Sequence, residues 1–405
     1  MSILFGHPTG NPNSHQAALA HFERDRLEAF CVPWFPSEKT LAFLRSFPST
    51  RAMAPRLERR RFEPLVGAPK IQGRIGEIKR LLIRALGRGD EGLSYEANDW
   101  LMRTMARECR RPSVTAVHSY EDCSLMQFEE AKRRGKACIY DMPIGYYPAW
   151  QEAENSLAKK FADWLPAGGL VSRKYVRPEQ KQREMELADV VIVPSTFVEQ
   201  TIKRFIEKPC VRAQYGVDTD FWQPPAEPKK TDGPLRFIYV GQLSIRKGIP
   251  ILIEAWKRAD LKDAEMYLVG SWLLADRMRG QLPSNVRYVE PCSKEELRKH
   301  YQSADVFVFP SFFEGFALVL LESMACGLPV VASDASGATD IVDAGNGRVL
   351  PAANVEAWSE GLRQISASCE NVPRMQKAAR EKALQCNWEN YRQAVSDAIA
   401  IYDCV

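Results

Sequence analysis

Two stretches of ten residues in this chain are near copies of each other. Residues 188–197 read ADVVIVPSTF and residues 304–313 read ADVFVFPSFF, so six of the ten positions are identical. Each is an apolar run that ends at Pro-Ser, as expected of a buried parallel strand that enters a turn before a helix. The repeat therefore predicts two similar α/β units, one in each half of the chain.

Other apolar runs alternate with helical patterns in both halves. They predict strands at residues 114–118, 137–140, 237–240, 266–269, 286–289 and 329–333. Strands separated by helices form parallel, doubly wound sheets, whose ligands bind at the carboxyl ends of the strands. Residues 215–234 are rich in Pro, Gly and charge, which predicts a linker between two domains.

The second copy leads into EGFALVLLE, in which Glu314 and Glu322 lie eight residues apart at the start of a helical pattern. Eight helical residues span about 12 Å, close to the distance from hexose to ribose in a nucleotide sugar. The two carboxylates would accept hydrogen bonds from these sugars, and the backbone N–H groups of residues 315–317 would donate to phosphate. In the alternative, Glu314 only favours the helix dipole and Glu322 faces water.

Two cations follow another predicted strand. Arg246 and Lys247 lie in the turn GQLSIRKG, between Gly241 and Gly248 and before a helical pattern. A turn at the carboxyl end of a strand directs both side chains at the cleft between domains, where they are suited to bind phosphate. The glycines and the preceding strand favour this interpretation over a solvated surface pair.

Composition excludes several classes of protein. With 405 residues, of which 45% are hydrophobic, the chain is expected to form two or three globular domains. The net charge of +4 gives no argument for nucleic acid, and the sequence shows neither a signal peptide nor a run of apolar residues long enough to span a membrane. Ten scattered cysteines without Cys-x-x-Cys are expected to be free thiols in the cytoplasm.

Two basic segments stand out locally, at residues 51–61 and 74–88. In the second segment an apolar helical stripe has basic flanks; it consists of Ile78, Leu81, Leu82 and Leu86. Such a helix is suited to an anionic membrane surface. The alternative is an ordinary solvated face over a packed stripe.

Three elements occur in order: YGVDTDFW at residues 215–222, GQLSIRKG at 241–248, and the block EGFALVLLESMACGLPVVAS at 314–333. Together they resemble the retaining family 4 glycosyltransferases of the GT-B fold. The resemblance is dense over residues 214–342 and weak over the first 110. It implies two Rossmann-like domains that face a cleft: residues 1–214 bind the acceptor, 215–387 bind the nucleotide sugar, and a helix in 388–405 crosses back to the first domain.

The resemblance also implies roles for the residues of the second half. Arg246 and Lys247 would bind the donor diphosphate and neutralise the departing nucleotide, with Gly241 in the same turn. Glu314 would hold the hydroxyl groups of the donor sugar, Glu322 would hold those of the ribose, and the backbone of Gly315, Phe316, Ala317 and Leu318 would donate hydrogen bonds. Similar enzymes retain the anomeric configuration by front-side attack, without a metal or a covalent nucleophile.

In the first half, His118 ends a predicted strand and is expected at the cleft, where it would orient the donor sugar. A histidine satisfied within a loop is the alternative. Gly10 lies where similar enzymes have a glycine-rich loop near the donor phosphate, but only one of the two glycines is present. Asp141 and Tyr146 lie in an aromatic loop suited to stacking on a sugar acceptor, although aromatic residues at this density also pack domain cores.

Other sites are less consistent with the sequence. Asp218 and Asp220 form an Asp-x-Asp pair, but its place in the linker favours a turn role over a metal site. Gly-x-Gly-x-x-Gly, the P-loop motif and zinc-ligand spacing do not occur. No cofactor or metal ion is therefore expected.

The function expected is transfer of a hexose from a UDP- or GDP-sugar to a glycan or lipid-linked saccharide, in assembly of a bacterial envelope polysaccharide or glycoconjugate. Two alternatives remain, a GT-B phosphorylase or sugar-nucleotide isomerase, and a catalytically silent sugar-nucleotide-binding subunit. The partners expected are the donor, the acceptor and an anionic membrane, with no nucleic acid. The expected location is the cytoplasm, including the inner face of the plasma membrane.

Overall fold

The structure, a computed structural model, describes residues 1–51, 53–85, 91–166, 177–227 and 233–400. Its strands fall into two groups, one before and one after the predicted linker. They are β1 Ile3–Gly6, β2 Leu27–Val32, β3 Lys70–Gln72, β4 Ala116–Tyr120, β5 Ala137–Asp141, β6 Val190–Val193, β7 Cys210–Arg212, β8 Leu235–Val240, β9 Ala264–Val269, β10 Val286–Val289, β11 Val306–Phe309, β12 Val330–Ser333 and β13 Gly347–Leu350.

Each group of strands forms one parallel sheet. The first sheet has seven strands in the order β3-β2-β1-β4-β5-β6-β7, and the second has six in the order β10-β9-β8-β11-β12-β13. In both sheets the chain reverses its direction of winding between the first and fourth strands, which are hydrogen-bonded neighbours. Such reversal points are where open α/β sheets bind ligands. The prediction of two doubly wound parallel sheets is confirmed.

Helices connect the strands. They are α1 Pro12–Phe22, α2 Glu38–Ser46, α3 Pro48–Arg51, α4 Ala54–Glu58, α5 Arg74–Ala85, α6 Glu91–Glu108, α7 Leu125–Arg133, α8 Tyr147–Lys160, α9 Pro178–Leu187, α10 Thr196–Lys203, α11 Ile249–Ala259, α12 Lys294–Ser303, α13 Leu318–Ala325, α14 Val355–Ala367, α15 Val372–Gln385 and α16 Trp388–Ala400. Local sequence signals explain where several of them begin. Capping boxes start α1 at Asn11 and α12 at Ser293, where side chains satisfy the first free N–H groups.

The near copies form corresponding strands, β6 and β11, and every residue of both strands is buried. The segments after these two strands differ. Ser195 caps α10 directly after β6, whereas α13 begins only at Leu318, after a loop that contains Glu314. The second unit has thus gained a loop at the carboxyl edge of its sheet.

The strand predicted at residues 114–118 forms two residues later, as β4. Val114 N–H donates to the carbonyl of Arg111, which closes a turn, so that the extended segment begins after it. His118 is consequently central in β4 and pairs in register with Phe5 and Ile139. The prediction that this histidine ends a strand was wrong.

The first part of the predicted linker is packed rather than extended. Tyr215, Val217 and Trp222 are buried, and Val217 N–H donates to Cys386 O at 3.0 Å. The two crossings of the chain between the domains therefore lie side by side. Residues 228–232 of the linker lie outside the described residues.

Helix α16 returns to the first domain and packs on α1. Arg392 Nε is 2.8 Å from Glu23 Oε2, and Arg24 Nη2 donates to Gln393 Oε1 at 2.7 Å. In the described ranges we find no helix with the length and apolar character that crossing a bilayer requires. Nine cysteines lie in the same ranges and all are free, as predicted; the tenth, Cys404, lies outside them.

Candidate functional site

Two loops meet at the carboxyl edge of the second sheet. The loop after β8 carries Arg246 and Lys247, and the loop after β11 carries Glu314. Both cations contact the same carboxylate oxygen, Glu314 Oε2: Lys247 through Nζ, and Arg246 through Nη1 at 3.1 Å. Arg246 Nη1 also donates to Phe313 O at 2.8 Å. Three of the predicted site residues are therefore in direct contact.

This ion pair is largely removed from water, with 13% of the Lys247 side chain and 15% of the Glu314 side chain exposed. Burial by itself raises the pKa of Glu314, but the charges of Lys247 and Arg246 outweigh it and leave that pKa below its usual value. Burial also lowers the pKa of Lys247, against the opposing effect of Glu314. One carboxylate faces two cations, so the cluster retains a positive excess suited to an anion.

The backbone between Glu314 and α13 is irregular. Ala317 has φ 69° and ψ 95°, a conformation that is strained for a residue with a Cβ atom. Within the described ranges, the N–H groups of Gly315, Phe316 and Ala317 have no acceptor. Free N–H groups before a helix are the usual ligands of phosphate oxygens.

The separation of about 12 Å predicted between Glu314 and Glu322 assumed that all eight residues are helical. The helix begins only at Leu318, so that separation does not apply. Glu322 is half-buried rather than facing water. Burial raises the pKa of Glu322 to about 7, opposed by the charge of Lys294. Its protonation state therefore changes near neutral pH.

Close backbone contacts fix the loop after β8. Gly248 has φ +74°, and a Cβ atom there would lie 1.8 Å from Pro310 O in the neighbouring loop. Gly241 has φ +144° and its carbonyl lies against Gly270, where a Cβ atom would be 1.9 Å from Gly241 O. Only glycine allows these approaches. They hold the loop after β8 against its neighbours, which positions Arg246 and Lys247.

The Glu314 loop also contacts the first domain. A Cβ atom on Gly315 would lie 1.7 Å from Pro143 O, and Ser195 Oγ donates to Gly315 O at 2.7 Å. Next to this contact, Asp340 accepts hydrogen bonds from Thr196 N and Oγ1 at 2.8 and 2.5 Å. Ser195, Thr196 and Asp340 were not predicted from the sequence, although Ser195 belongs to the first Pro-Ser copy.

His118 and Asp141 form a second group, inside the first domain. His118 is fully buried; its Nδ1 lies 2.9 Å from His21 Nε2, and its Nε2 lies 3.7 Å from Asp141 Oδ2. Burial lowers the pKa of His118 to about 3 and raises that of Asp141 to about 8, so both are neutral at pH 7. The expectation that His118 faces the open cleft is not met, because its central place in β4 buries the ring.

Three tyrosines connect this group to the Glu314 loop. The Tyr215 ring lies 5.8 Å from the Phe316 ring and 5.7 Å from the Tyr391 ring. The hydroxyls of Tyr120 and Tyr391 are buried beside Asp141, and the Tyr120 hydroxyl lowers the pKa of Asp141 against the larger effect of burial. These tyrosines were not predicted from the sequence. Tyr215 was present in the YGVDTDFW motif but was interpreted as linker.

Gly10 and Tyr146 make their contacts within the first domain. Gly10 has φ +70° and its N–H donates to His7 Nδ1 at 2.9 Å, so this N–H is used in a hydrogen bond within the loop after β1. Tyr146 is buried against Phe205, with ring centroids 6.1 Å apart. It borders a cavity of about 310 Å³ that Lys181 and Glu186 also line. Its ring is thus engaged in packing, the alternative noted for this aromatic loop.

The Asp-x-Asp pair has a turn role, as predicted. Asp218 Oδ1 accepts hydrogen bonds from the N–H groups of Asp220 and Phe221, at 3.1 and 3.0 Å. In the part of the chain that the structure describes, no three His, Cys, Asp or Glu side chains are grouped as metal ligands.

Comparison with known sequences places a family match on the second domain. Residues 220–382 match the family described as glycosyl transferases group 1. The D-inositol 3-phosphate glycosyltransferase of Kineococcus radiotolerans is 30% identical over 238 residues, which is 53% of this chain and 54% of the relative. The O-antigen chain mannosyltransferase B of Escherichia coli is 32% identical over 167 residues, 38% of this chain and 42% of the relative. The chain spans about half or less of the length of the curated relatives that it matches.

Among solved structures, Anabaena HepE in complex with UDP-glucose is similar over the full length. The TM-score is 0.61 with 15% sequence identity, and the likeness covers 99% of each chain. At this identity the likeness shows a shared fold. The predicted GT-B fold, two Rossmann-like doubly wound domains, is confirmed.

Proposed function

Because residues 220–382 of this chain match the glycosyl transferases of group 1, we propose that it moves a hexose from a nucleotide-diphosphate sugar to a glycan or lipid-linked saccharide. The observation that carries the proposal is the contact of Arg246 and Lys247 with Glu314, beside free N–H groups. Two cations and one carboxylate match a ligand that combines a diphosphate with sugar hydroxyls.

The residues have separate roles in the proposed complex. The donor diphosphate partly replaces Glu314 as the negative partner of Lys247 and Arg246. The N–H groups of residues 315–317 donate hydrogen bonds to the phosphate oxygens. Glu314 then accepts hydrogen bonds from the donor sugar. As the glycosidic bond breaks, negative charge collects on the nucleotide, where the two cations stabilise it.

The finer parts of the proposal rest on the family resemblance. Glu322 accepts hydrogen bonds from the ribose, transfer retains the anomeric configuration by front-side attack, and no metal ion takes part. UDP and GDP are the nucleotides proposed for the donor. That HepE has been solved with UDP-glucose supports UDP as the first to test.

The acceptor and the setting are also proposed. The relative from Escherichia coli is an O-antigen chain mannosyltransferase, which supports assembly of an envelope polysaccharide or glycoconjugate. Free thiols at all nine described cysteines support a reducing cytoplasm. A lipid-linked acceptor would place the enzyme at the inner face of the plasma membrane.

Donor binding followed by turnover tests the proposal. A thermal-shift screen of UDP, GDP and ADP identifies the base, because a ligand that binds only the folded chain raises the melting temperature. Radiolabelled sugar nucleotides of that base are then incubated with lipid-linked and oligosaccharide acceptors. Labelled glycan supports the transferase. Product that forms only with inorganic phosphate would indicate a phosphorylase instead. Interconversion of sugar nucleotides would indicate an isomerase, and binding without any product would indicate a catalytically silent subunit.

A further inference from the structure

The segment between β2 and α6, residues 37–85, differs from the rest of the chain in charge. It contains twelve Lys and Arg against four Glu, whereas the whole chain has an excess of only four positive charges. The remainder of the protein is therefore net negative. We refer to residues 37–85 as the basic insert. It carries α2 to α5 and the edge strand β3.

The basic insert also concentrates exposed apolar side chains. Of the ten large apolar side chains exposed among the described residues, six lie in it: Phe43, Phe47, Val66, Ile75, Ile78 and Leu82. Ile75 is 86% exposed and Phe43 is 60% exposed. Such clustering marks an interaction surface, since single exposed apolar residues are normally scattered.

Helix α5 shows how this surface is built. Ile75, Ile78 and Leu82 follow one another at helical spacing along its exposed side, and Arg74 and Lys79 flank them. Glu77, Arg80 and Leu81 on the opposite side are buried. The apolar stripe predicted for this helix is therefore not packed, except at Leu81. Leu86, the last member of that stripe, lies outside the described residues.

The exposure does not come from a poorly folded segment. A small core beneath the surface joins α2, α4 and α5; it consists of Leu41, Leu44, Ala54, Leu57 and Leu81. Arg60 Nη2 lies 2.8 Å from Glu77 Oε1 in a buried ion pair, and Arg80 Nη2 lies 3.4 Å from the same oxygen. These contacts hold α5 in place while its apolar stripe faces outward.

The basic insert also packs against α1, the helix that follows the loop after β1. The Phe62 ring stacks on His15 of α1 with centroids 5.4 Å apart and planes at 3°. Burial, together with the charges of His15 and Arg60, lowers the pKa of His7, which in turn accepts the N–H of Gly10. The basic insert is therefore in contact with the helix that directly follows the loop after β1.

We propose that the basic insert docks this chain on an anionic lipid bilayer, through the apolar side chains of α2 and α5 and the cations around them. A bilayer supplies both an apolar layer and a negative surface potential. A second copy of the chain would instead bring one positive insert against another. The inference rests on the proposed function in one respect, since a lipid-linked acceptor would be held in the bilayer that the basic insert binds.

Vesicle flotation tests the docking. The chain is expected to float with vesicles of phosphatidylcholine and phosphatidylglycerol, to float much less with phosphatidylcholine alone, and to be released by salt. The double variant Ile75→Glu, Leu82→Glu should lower the bound fraction about tenfold or more. Leu384→Glu, which changes an exposed apolar residue on α15, should have no effect. Unchanged melting temperatures establish that both variants are folded.

Several outcomes would overturn the inference. They are absence of flotation, flotation that the double variant retains, and self-association in light scattering that the double variant abolishes while vesicles are not bound. A transfer assay with a water-soluble acceptor tests the proposed function independently of docking on a bilayer. If the unmodified chain floats but transfers no sugar, the proposed function is rejected and the docking surface is kept. If it transfers sugar but does not float, the docking surface alone is rejected.

Discussion

Ser195 donates a hydrogen bond from its hydroxyl to the carbonyl of Gly315, 2.7 Å away and 120 residues further along the chain. Both residues come after the near-identical strands β6 and β11, one in each domain. The same serine caps α10 through Val198 N–H. The loop that carries Glu314 is therefore fixed to the first domain at the start of α10. A relative movement of the two domains would displace this loop and, with it, the ion pair.

Gly315→Ala should separate the domains at this point. The new Cβ atom would lie 1.7 Å from Pro143 O, so the two loops must move apart. We expect a loss of about 1–3 kcal/mol of folding free energy, as in other overpacked sites, and a large loss of transfer. Urea unfolding and initial rates measure the two effects. Gly280→Ala, at a glycine with open space around it, is the control, and equal behaviour of the two variants would contradict the contact.

Lys247→Ala should remove most of the transfer activity. Without this cation, Arg246 is the one member of the pair left to stabilise charge on the departing nucleotide, and loss of one such group typically lowers kcat about 100- to 1,000-fold. Lys257→Ala on the exposed side of α11 is the matched control. Near-normal kcat in the Lys247 variant, measured with saturating donor, would reject the proposed phosphate site.

Glu322 should make donor binding depend on pH. Its pKa is raised to about 7, so the carboxylate is largely protonated at pH 6 and ionised at pH 8. Since the ionised form is the better acceptor for ribose hydroxyls, the Kd for the sugar nucleotide should decrease over this range. Calorimetric titration of the unmodified chain and of Glu322→Gln provides the measurement. An identical pH dependence in both would exclude Glu322 from the ribose site, and Glu295→Gln on exposed α12 is the control.

Asp141 should lower stability as the pH rises. Burial raises its folded pKa to about 8 from 3.8, so the folded state binds this proton more tightly than the unfolded chain. The stabilisation is present below the unfolded pKa and is lost as the pH rises through about 8. Between pH 5 and 8, the free energy of unfolding of the unmodified chain should fall by on the order of 2–4 kcal/mol more than that of Asp141→Asn. Denaturant unfolding at both pH values checks this, and Asp163→Asn at an exposed position should show no such difference.

Transfer should continue in the presence of EDTA. The proposed site neutralises the diphosphate with Arg246 and Lys247, and Asp218 Oδ1 is engaged in a turn. Initial rates with and without chelator should agree. Loss of activity that Mn²⁺ restores would support a metal role for Asp218 and Asp220 instead.

Much of the fold was determined by sequence periodicity alone. The repeated ADV-PS strands and the alternation of strands with helices are local patterns, because a buried parallel strand must be apolar on both faces. The same patterns place Arg246, Lys247 and Glu314 at strand ends. Since the carboxyl ends of parallel strands lie at one edge of a sheet, local sequence was sufficient to bring these three residues together.

Contacts between distant segments were decided by the tertiary structure. A shift of two residues in β4 moved His118 from the predicted strand end into the core, beside His21 and Asp141. Tyr215 and Tyr391 come from the linker and the last helix, and they meet only because α16 packs on α1. The helical stripe of α5 was visible in the sequence, but which of its sides is covered depends on α2 and α4. Periodicity specifies which residues share a face, whereas burial depends on what packs against that face.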